Sequence, residues 1–323
     1  MAVLKAESLR TWPRPGWLER GHRATQGPGA RVPWGAAAIF LGPTLLLYSA
    51  FILYPLLRTF YNSVFLLRAV DSYEFVGLQH YQDIFSNDDV IWLAVRHSVV
   101  WAIVSPLVEI PIAFLLALAL FARVPLARFF RVAWFAPVLL SYVVVGPIWM
   151  WIYNNEWGAV NVVLRAIGLG ALARPWLGDL TTALPALIVV TTWMFVCFNM
   201  VVLLAALSSL PQTVIEAASI DGAGWWRRVW SIMLPLVRPT IANLMVLSFI
   251  GKMKQFALVW IMTAGGPLWA TETVATYIIK RAFQWRTLDL GYPSAIATLW
   301  FVVILVVTIL LTRLAHRREA VEF

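Results

Sequence analysis

Six stretches of this chain are long enough and poor enough in charge to cross a lipid bilayer, and they dictate what the rest can become. A hydrocarbon core about 30 Å thick is spanned by about 20 apolar residues in a helix. The runs are Trp34 to Leu57, about Ser98 to Ala122, Val132 to Asn155, near Ala183 to near Leu210, roughly Thr240 to Met262, and Leu290 to Thr312. Lipid offers no hydrogen-bond partners to the backbone, so only helices or closed barrels cross it, and these runs are too long for barrel strands. The expected fold is an all-α membrane protein of six transmembrane helices. Composition agrees, with 61% hydrophobic and 13% charged residues, far from the soluble balance.

Six spans place both termini on one side, and the basic residues say which. The first tail (Lys5 to Arg31), the loop with Arg123, Arg128 and Arg131, the loop with Arg227, Arg228 and Arg238, and the last tail carry fifteen Lys and Arg, against eight in the opposite loops. Cytoplasmic loops are enriched in Lys and Arg, so both termini are expected in the cytoplasm. The net charge of +9 is therefore sorted by side of the membrane, not gathered into a nucleic-acid-binding patch. Residues 1–33, rich in basic residues, Pro and Gly, read as a cytoplasmic tail without an apolar core. Residues 34–316 read as the membrane domain and 317–323 as a second short tail.

Between the fourth and fifth runs hangs Glu216 to Pro235, EAASIDGAGWWRRVWSIMLP. Glu216, Ala217 and Ala218 favour a helix, Gly222 permits a turn that a side chain would hinder, and Trp225, Trp226 and Trp230 offer apolar surface. The pattern predicts a short helix, a glycine break and a second short helix, together a cytoplasmic lever within 208–238.

Glu216-Ala217-Ala218, then Gly222, then Ile232 and Leu234-Pro235, resembles the EAA motif of the membrane-spanning subunits of binding-protein-dependent ABC importers. Asp221-Gly222-Ala223 resembles its carbohydrate branch, the maltose and glycerol-phosphate type; Val229 departs from the Phe usual there. Gly77-Leu78 with Tyr81, Trp176-Leu177-Gly178, and Thr263 with Gly265-Gly266-Pro267 resemble the family's outer segments, and also suit turns and interfacial anchors. The resemblance implies a permease subunit in a bacterial inner membrane, half of a pathway for a sugar or oligosaccharide. It implies a second permease subunit, two ATP-binding cassette subunits that hold ATP and Mg²⁺, and an extracytoplasmic solute-binding protein. Glu216, Ala217, Ala218, Asp221, Gly222, Ala223, Trp225 and Trp226 are then the contact with the ATPase.

The chain itself shows no phosphate loop of the G-x-x-x-x-G-K-[ST] type, so ATP hydrolysis by that means belongs to a partner. The single Cys197 excludes a disulfide framework, and His22, His80, His97 and His316 are scattered, so no cofactor or metal site is expected in this chain.

Ionisable groups at bilayer depth are costly and mark function or pairing. Glu109 lies in the second run between Pro106 and Pro111, and Lys252 and Lys254 lie in the fifth. Glu109 with one lysine can form a structural ion pair; the other lysine is then expected to face a hydrated cavity. Ser248, Lys252 and Gln255 fall on one helical face, and the resemblance places that face on the sugar path, where the maltose type is uncharged. The lysines therefore suggest an anionic substrate, which within the family suits import of alginate, a polyuronate. Thr191, Met194, Phe195 and Phe198 share a face of the fourth run that the resemblance also places on the path; packing or lipid contact would equally account for them. A different class, an ion-coupled secondary transporter using Glu109, Lys252 and Lys254 as a relay, is the alternative; it would need no EAA loop and would typically show an inverted repeat.

Overall fold

The computed structural model describes residues 34–69, 72–122, 129, 134, 136–285 and 289–317. The expected tails at 1–33 and 318–323, and Arg123, Arg128 and Arg131, lie outside the described residues. The chain divides into two compact units, up to Leu57 and from Arg58 onward. In the first, α1 (Trp34–Tyr48) runs into a π-helical turn, Ser49–Leu53, and α2 (Tyr54–Asn62) begins.

From Arg58 onward the architecture is helical, with one exception that the sequence reading did not anticipate. β1 (Phe65–Ala69) and β2 (Ser72–Phe75) form a small antiparallel pair in the register Phe65 to Phe75 and Leu67 to Tyr73. Aromatic and β-branched or bulky apolar residues suit such a half-buried ladder; Phe65 meets Phe75 edge-to-face, with ring centres 5.3 Å apart. There follow α3 (Gln79–Ser86), α4 (Asp89–Phe121), α5 (Tyr142–Ile152), α6 (Ala159–Ala166), α7 (Ala183–Ser208) and α8 (Gln212–Ile220). The remainder is α9 (Trp225–Arg228), a π-helical turn at Val229–Met233, α10 (Leu234–Met253), α11 (Ala257–Met262), α12 (Val274–Ile279) and α13 (Gly291–Arg317).

Among the described residues five helices are long and apolar enough to cross a membrane: Ala38–Asn62, Asp89–Phe121, Ala183–Ser208, Trp225–Met253 and Gly291–Leu314. The expected third run, Val132 to Asn155, instead contributes the eleven-residue α5. A break at Leu140 and Ser141 precedes it. The second span starts earlier than its apolar run because Asp88 caps it, accepting a hydrogen bond from Ile91 N at 3.2 Å. The fifth span is displaced most. It begins at Trp225 and ends at Met253, where Thr240 to Met262 was expected. Arg238, Pro235 and Pro239 end an apolar run without ending the helix, while the uncharged segment after Lys254 hides a break.

Three apolar clusters hold the second unit together. One joins α4, α7 and α10 through Ile110, Phe114, Met200, Leu203, Leu207 and Val237. A second joins α4, α5, α7 and α11 through Trp101, Val145, Leu187 and Met262. The third joins α3, α4, α12 and α13 through Ile84, Ala102, Tyr277 and Ile296. In lipid such contacts work by packing and interhelical hydrogen bonds, because leaving the hydrocarbon gains nothing. Trp101 Nε1 on α4 accordingly donates to Thr191 Oγ1 on α7 at 3.2 Å, both residues being fully buried.

Candidate functional site

α7, α10 and α5 together wall a cavity of about 170 Å³, lined by Tyr142, Phe195, Phe198, Asn199, Leu244, Leu247, Ser248, Gly251, Lys252 and Gln255. Phe195, Phe198 and Asn199 share one face of α7 at spacings of three and four, and Leu244, Ser248 and Lys252 repeat the same spacing on α10. Two helices that pack through their neighbouring faces therefore turn these stripes toward one space.

The floor of that space is charged. Lys252 Nζ lies 2.6 Å from Glu109 Oε1, with the two side chains 4% and 0% exposed. Ser248 Oγ donates to Glu109 Oε2 at 2.9 Å. The ammonium also stands 4.1 Å from the centre of the Phe195 ring, whose face attracts a cation. One carboxylate from α4 thus meets a cation and a hydroxyl from α10, under an aromatic ring from α7.

Next to the pair α10 ends. Lys254 occupies its cap, with its own N–H donating to Gly251 O at 3.3 Å, and α11 starts at Ala257. Carbonyls freed by a broken helix need partners when water is absent. Met253 O receives Trp300 Nε1 at 3.1 Å, and Gln255 O receives Thr273 Oγ1 at 3.0 Å. The break is therefore built in by α13 and by the loop before α12, and it places Gln255 on the cavity wall beyond the end of the helix.

Five of the residues expected on a substrate path, Phe195, Phe198, Ser248, Lys252 and Gln255, line this one cavity, and Glu109 lies directly behind it. Thr191 and Met194 do not reach it. Thr191 is bonded to Trp101, and Met194 is packed among Trp101, Leu187 and Leu258, because their face of α7 turns to α4 and α11. Lys254 is exposed at the helix end and absent from the lining, so the two lysines part company. Tyr142 and Asn199 were missed. Asn199 was a lone amide in an apolar run, a signal that could have been used; Tyr142 carried none, since its run read as one undivided span.

The loop between α7 and α10 keeps half of its expected form. α8 carries Glu216, Ala217 and Ala218, and it has no buried residue. It ends at Asp221 with Gly222 at φ +78°. Ala223 N donates to Ala218 O at 2.9 Å and Gly222 N to Ser219 O at 3.2 Å. This double closure, with a left-handed residue between, is the glycine stop that a side chain would strain. The second half is a correction: Trp225–Arg228 is not a separate short helix but the first turn of the fifth span, continuous to Met253 through the π-turn. Val229 and Met233 anchor it in the α4–α7–α10 cluster. Val229 is fully buried. Ile220 is 86%, Trp226 60% and Trp230 57% exposed, an apolar surface that the described residues leave open.

A second polar centre lies at the start of α4. The Asp88 carboxylate accepts from Tyr277 Oη at 2.5 Å, Tyr292 Oη at 2.6 Å and Arg281 Nη2 at 3.0 Å. The Arg281 guanidinium in turn lies over Trp285, Tyr292 and Tyr277, at 4.4, 4.8 and 5.2 Å. Burial alone would raise the acid's pKa, but the two tyrosines, Ile91 N–H and Arg281 together hold it below the ordinary value. Close by, Glu272 is fully buried and pairs with Lys280, itself stacked on Trp269 at 4.7 Å; here burial prevails and the carboxyl is raised.

A helical membrane domain, a charged cavity at a broken span and a glycine-hinged exposed loop together define a transport subunit. The family model for the binding-protein-dependent transport system inner membrane component matches residues 109–321, and the chain belongs to that family. It is 30% identical over 99% of its length to the sulfoquinovosyl glycerol transport system permease protein SmoG of Agrobacterium fabrum, covering 98% of that protein. It is 32% identical over 85% of its length to the probable ABC transporter permease protein YurN of Bacillus subtilis, covering 92% of it. Its fold matches a bacterial alginate ABC transporter solved in complex with an alginate pentasaccharide-bound periplasmic protein. The TM-score is 0.76 at 23% identity, over 88% of this chain and 94% of that one. The protein is thus an ABC transporter permease of the carbohydrate-importer type, a multi-pass inner-membrane protein and a non-catalytic transport component. That membership sets aside the ion-coupled alternative.

Proposed function

We propose that this chain supplies half of the pathway by which a bacterium imports an anionic saccharide of the alginate kind. The rest of the pathway comes from a second permease chain. A soluble binding protein delivers the solute from outside, and two ATP-binding cassette subunits, which hold ATP and Mg²⁺, drive the cycle. Residues 34–316 form the membrane domain, with both termini and the 208–238 loop in the cytoplasm.

The observation that carries this reading is the gathering of Phe195, Phe198, Ser248, Lys252 and Gln255 on one cavity wall. Aromatic faces suit the C–H side of a sugar ring, and the amide, hydroxyl and ammonium suit its oxygens. A cavity of about 170 Å³ is smaller than the roughly 300–1,000 Å³ that encloses a drug-sized ligand, as fits one wall of a route completed by another chain. The relatives support a saccharide: SmoG is named for sulfoquinovosyl glycerol, and a solved transporter of the same fold for import of the acidic polysaccharide alginate. Lys254, exposed at the broken helix and without an ion pair among the described residues, is a second cation for such a solute.

In the loop, Glu216, Ala217, Ala218, Asp221, Gly222, Ala223, Trp225 and Trp226 form the ATPase contact. The exposed apolar surface of Trp226 and Ile220 supports this. Because the following helix is continuous with the fifth span, movement of Trp225 is passed to Lys252 without an intervening joint.

Saccharide-stimulated ATP hydrolysis by the reconstituted four-subunit complex is the test. Stimulation by acidic but not by neutral oligosaccharides, reduced in Lys254→Ala, is expected. Equal stimulation by both, in both proteins, would remove the anionic substrate; failure to co-purify with an ATPase would remove the coupling.

A further inference from the structure

The cavity wall carries a cation whose counter-ion lies outside the lining. An ammonium carries three N–H donors, and Lys252 meets one carboxylate oxygen at 2.6 Å and the Phe195 ring at 4.1 Å. Beside it the side-chain amide of Gln255, 6% exposed, engages the hydroxyl of Tyr142. The acceptor that answers Lys252 comes from behind the wall. Glu109 belongs to α4, is absent from the lining, and is held by Ser248 as well. What the wall offers a solute is an ammonium among neutral amides and hydroxyls, and what lies behind it is a fixed negative charge.

We propose that Glu109 is a specificity-determining residue: it serves as an internal counter-ion that occupies Lys252, so that a substrate carboxylate reaches the ammonium only against Glu109's own charge. This rests on the cavity being part of the saccharide pathway. Two like charges sharing one cation in a poorly screened site repel strongly, whereas a hydroxyl meets no such opposition. Glu109 therefore sets how far the pathway favours acidic over neutral sugars and keeps an anion from being held too tightly to leave. Its position explains why a costly buried charge stands here at all, since a packing role needs no ionisable group.

The test uses the complete complex in proteoliposomes, with binding protein saturated by either an acidic or a neutral oligosaccharide, and reads the ratio of the two uptake rates. Glu109→Gln keeps the shape and a partner for Ser248 while removing the charge. It should shift the ratio roughly tenfold or more toward the acidic sugar. The exchange Glu109→Lys with Lys252→Glu keeps an ion pair but turns a carboxylate to the cavity, and should shift the ratio as far the other way. If the pair only ties α4 to α10, the exchange works like the parent and the ratio moves in neither variant, which overturns the proposal. Loss of assembly in both variants, read by co-purification, overturns it as well. A parent complex that carries only neutral sugars refutes the anionic substrate, yet the ratio shift would still establish Glu109's role. A parent complex that carries neither class sinks the saccharide pathway and this inference with it.

Discussion

Three carboxylates among the described residues are buried beside a cation, and two of them, Asp88 and Glu109, are served very differently. Asp88 receives two tyrosine hydroxyls, a guanidinium and a backbone N–H, and its arginine lies over three aromatic rings. Glu109 receives one ammonium and one serine hydroxyl and adjoins a cavity. A charge surrounded by aligned donors is content and rigid, and the Asp88 network fastens α4, α12 and α13 where they meet. A charge with the fewest partners that keep it tolerable can exchange them. The first arrangement is a clamp, and the second is, on the proposal above, a working part.

The largest effect separates stability from transport at Glu109. Removing one member of a buried pair strands the other, at a cost of about 3–5 kcal/mol, while replacing both by apolar residues is often neutral. Glu109→Ala should therefore lower the apparent unfolding temperature of the purified complex sharply, and Glu109→Leu with Lys252→Met should restore it while leaving no preference for acidic over neutral sugar. If the apolar double variant stays unstable, the pair is a clamp like Asp88 and the contrast collapses.

At Asp88 the expected loss is smaller, about 1.5–3 kcal/mol for a hydrogen bond to a charged group, and it comes with a pH signature. The folded protein holds this carboxyl below its ordinary value of about 4. Its contribution is present above that value and is lost as pH falls through the depressed one. Asp88→Asn should thus cost most at neutral pH and little in strong acid. Glu272 gives the opposite sign, because burial raises it despite Lys280. The folded state then binds the proton more readily, so stability declines as pH rises from about 4.3 through the raised value. Glu272→Gln should flatten that decline. Unfolding temperatures measured from acid to neutral pH for both variants check the pair of signs; a common sign would mean that burial, not the hydrogen-bond set, governs both acids.

The chain's sequence made the membrane class legible and offered the pairing of Glu109 with a lysine as one of two readings, of which the structure forms the pair with Lys252. Helix ends were not legible. α4 starts at Asp89, nine residues before the expected apolar run opens at Ser98, and Arg238 sits inside a helix whose apolar run it was taken to precede. Hydropathy reports where water is excluded, whereas the helix follows backbone bonds and runs on past Pro235 and Pro239 after the π-helical turn at Val229–Met233. Thr191 and Met194 were assigned to the path by their spacing, but spacing alone does not say which neighbour a face meets. Neither did it show the break after Met253, which depends on Trp300 and Thr273, 47 and 18 residues away from the carbonyls they satisfy.

The smallest energetic effect carries a large functional one, and it extends the contrast to a region with no buried charge. Gly222 closes α8 at φ +78°, and an added Cβ there would meet nothing within 4 Å. The strain of Gly222→Ala is therefore conformational only, on the order of 1 kcal/mol, too little to unfold the complex. It acts, however, where Glu216 is set relative to Trp225, and Trp225 begins the unbroken helix that ends at Lys252 and Met253. Changing the angle of the stop shifts the lever without touching the cavity. Gly222→Ala should leave the unfolding temperature and basal ATP hydrolysis nearly unchanged while reducing saccharide stimulation several-fold, and Gly222→Asn, whose side chain tolerates the left-handed conformation, should recover much of it. Equal stimulation in all three proteins would show that the bend transmits nothing, and that the working part of this chain ends at Glu109 and its cavity.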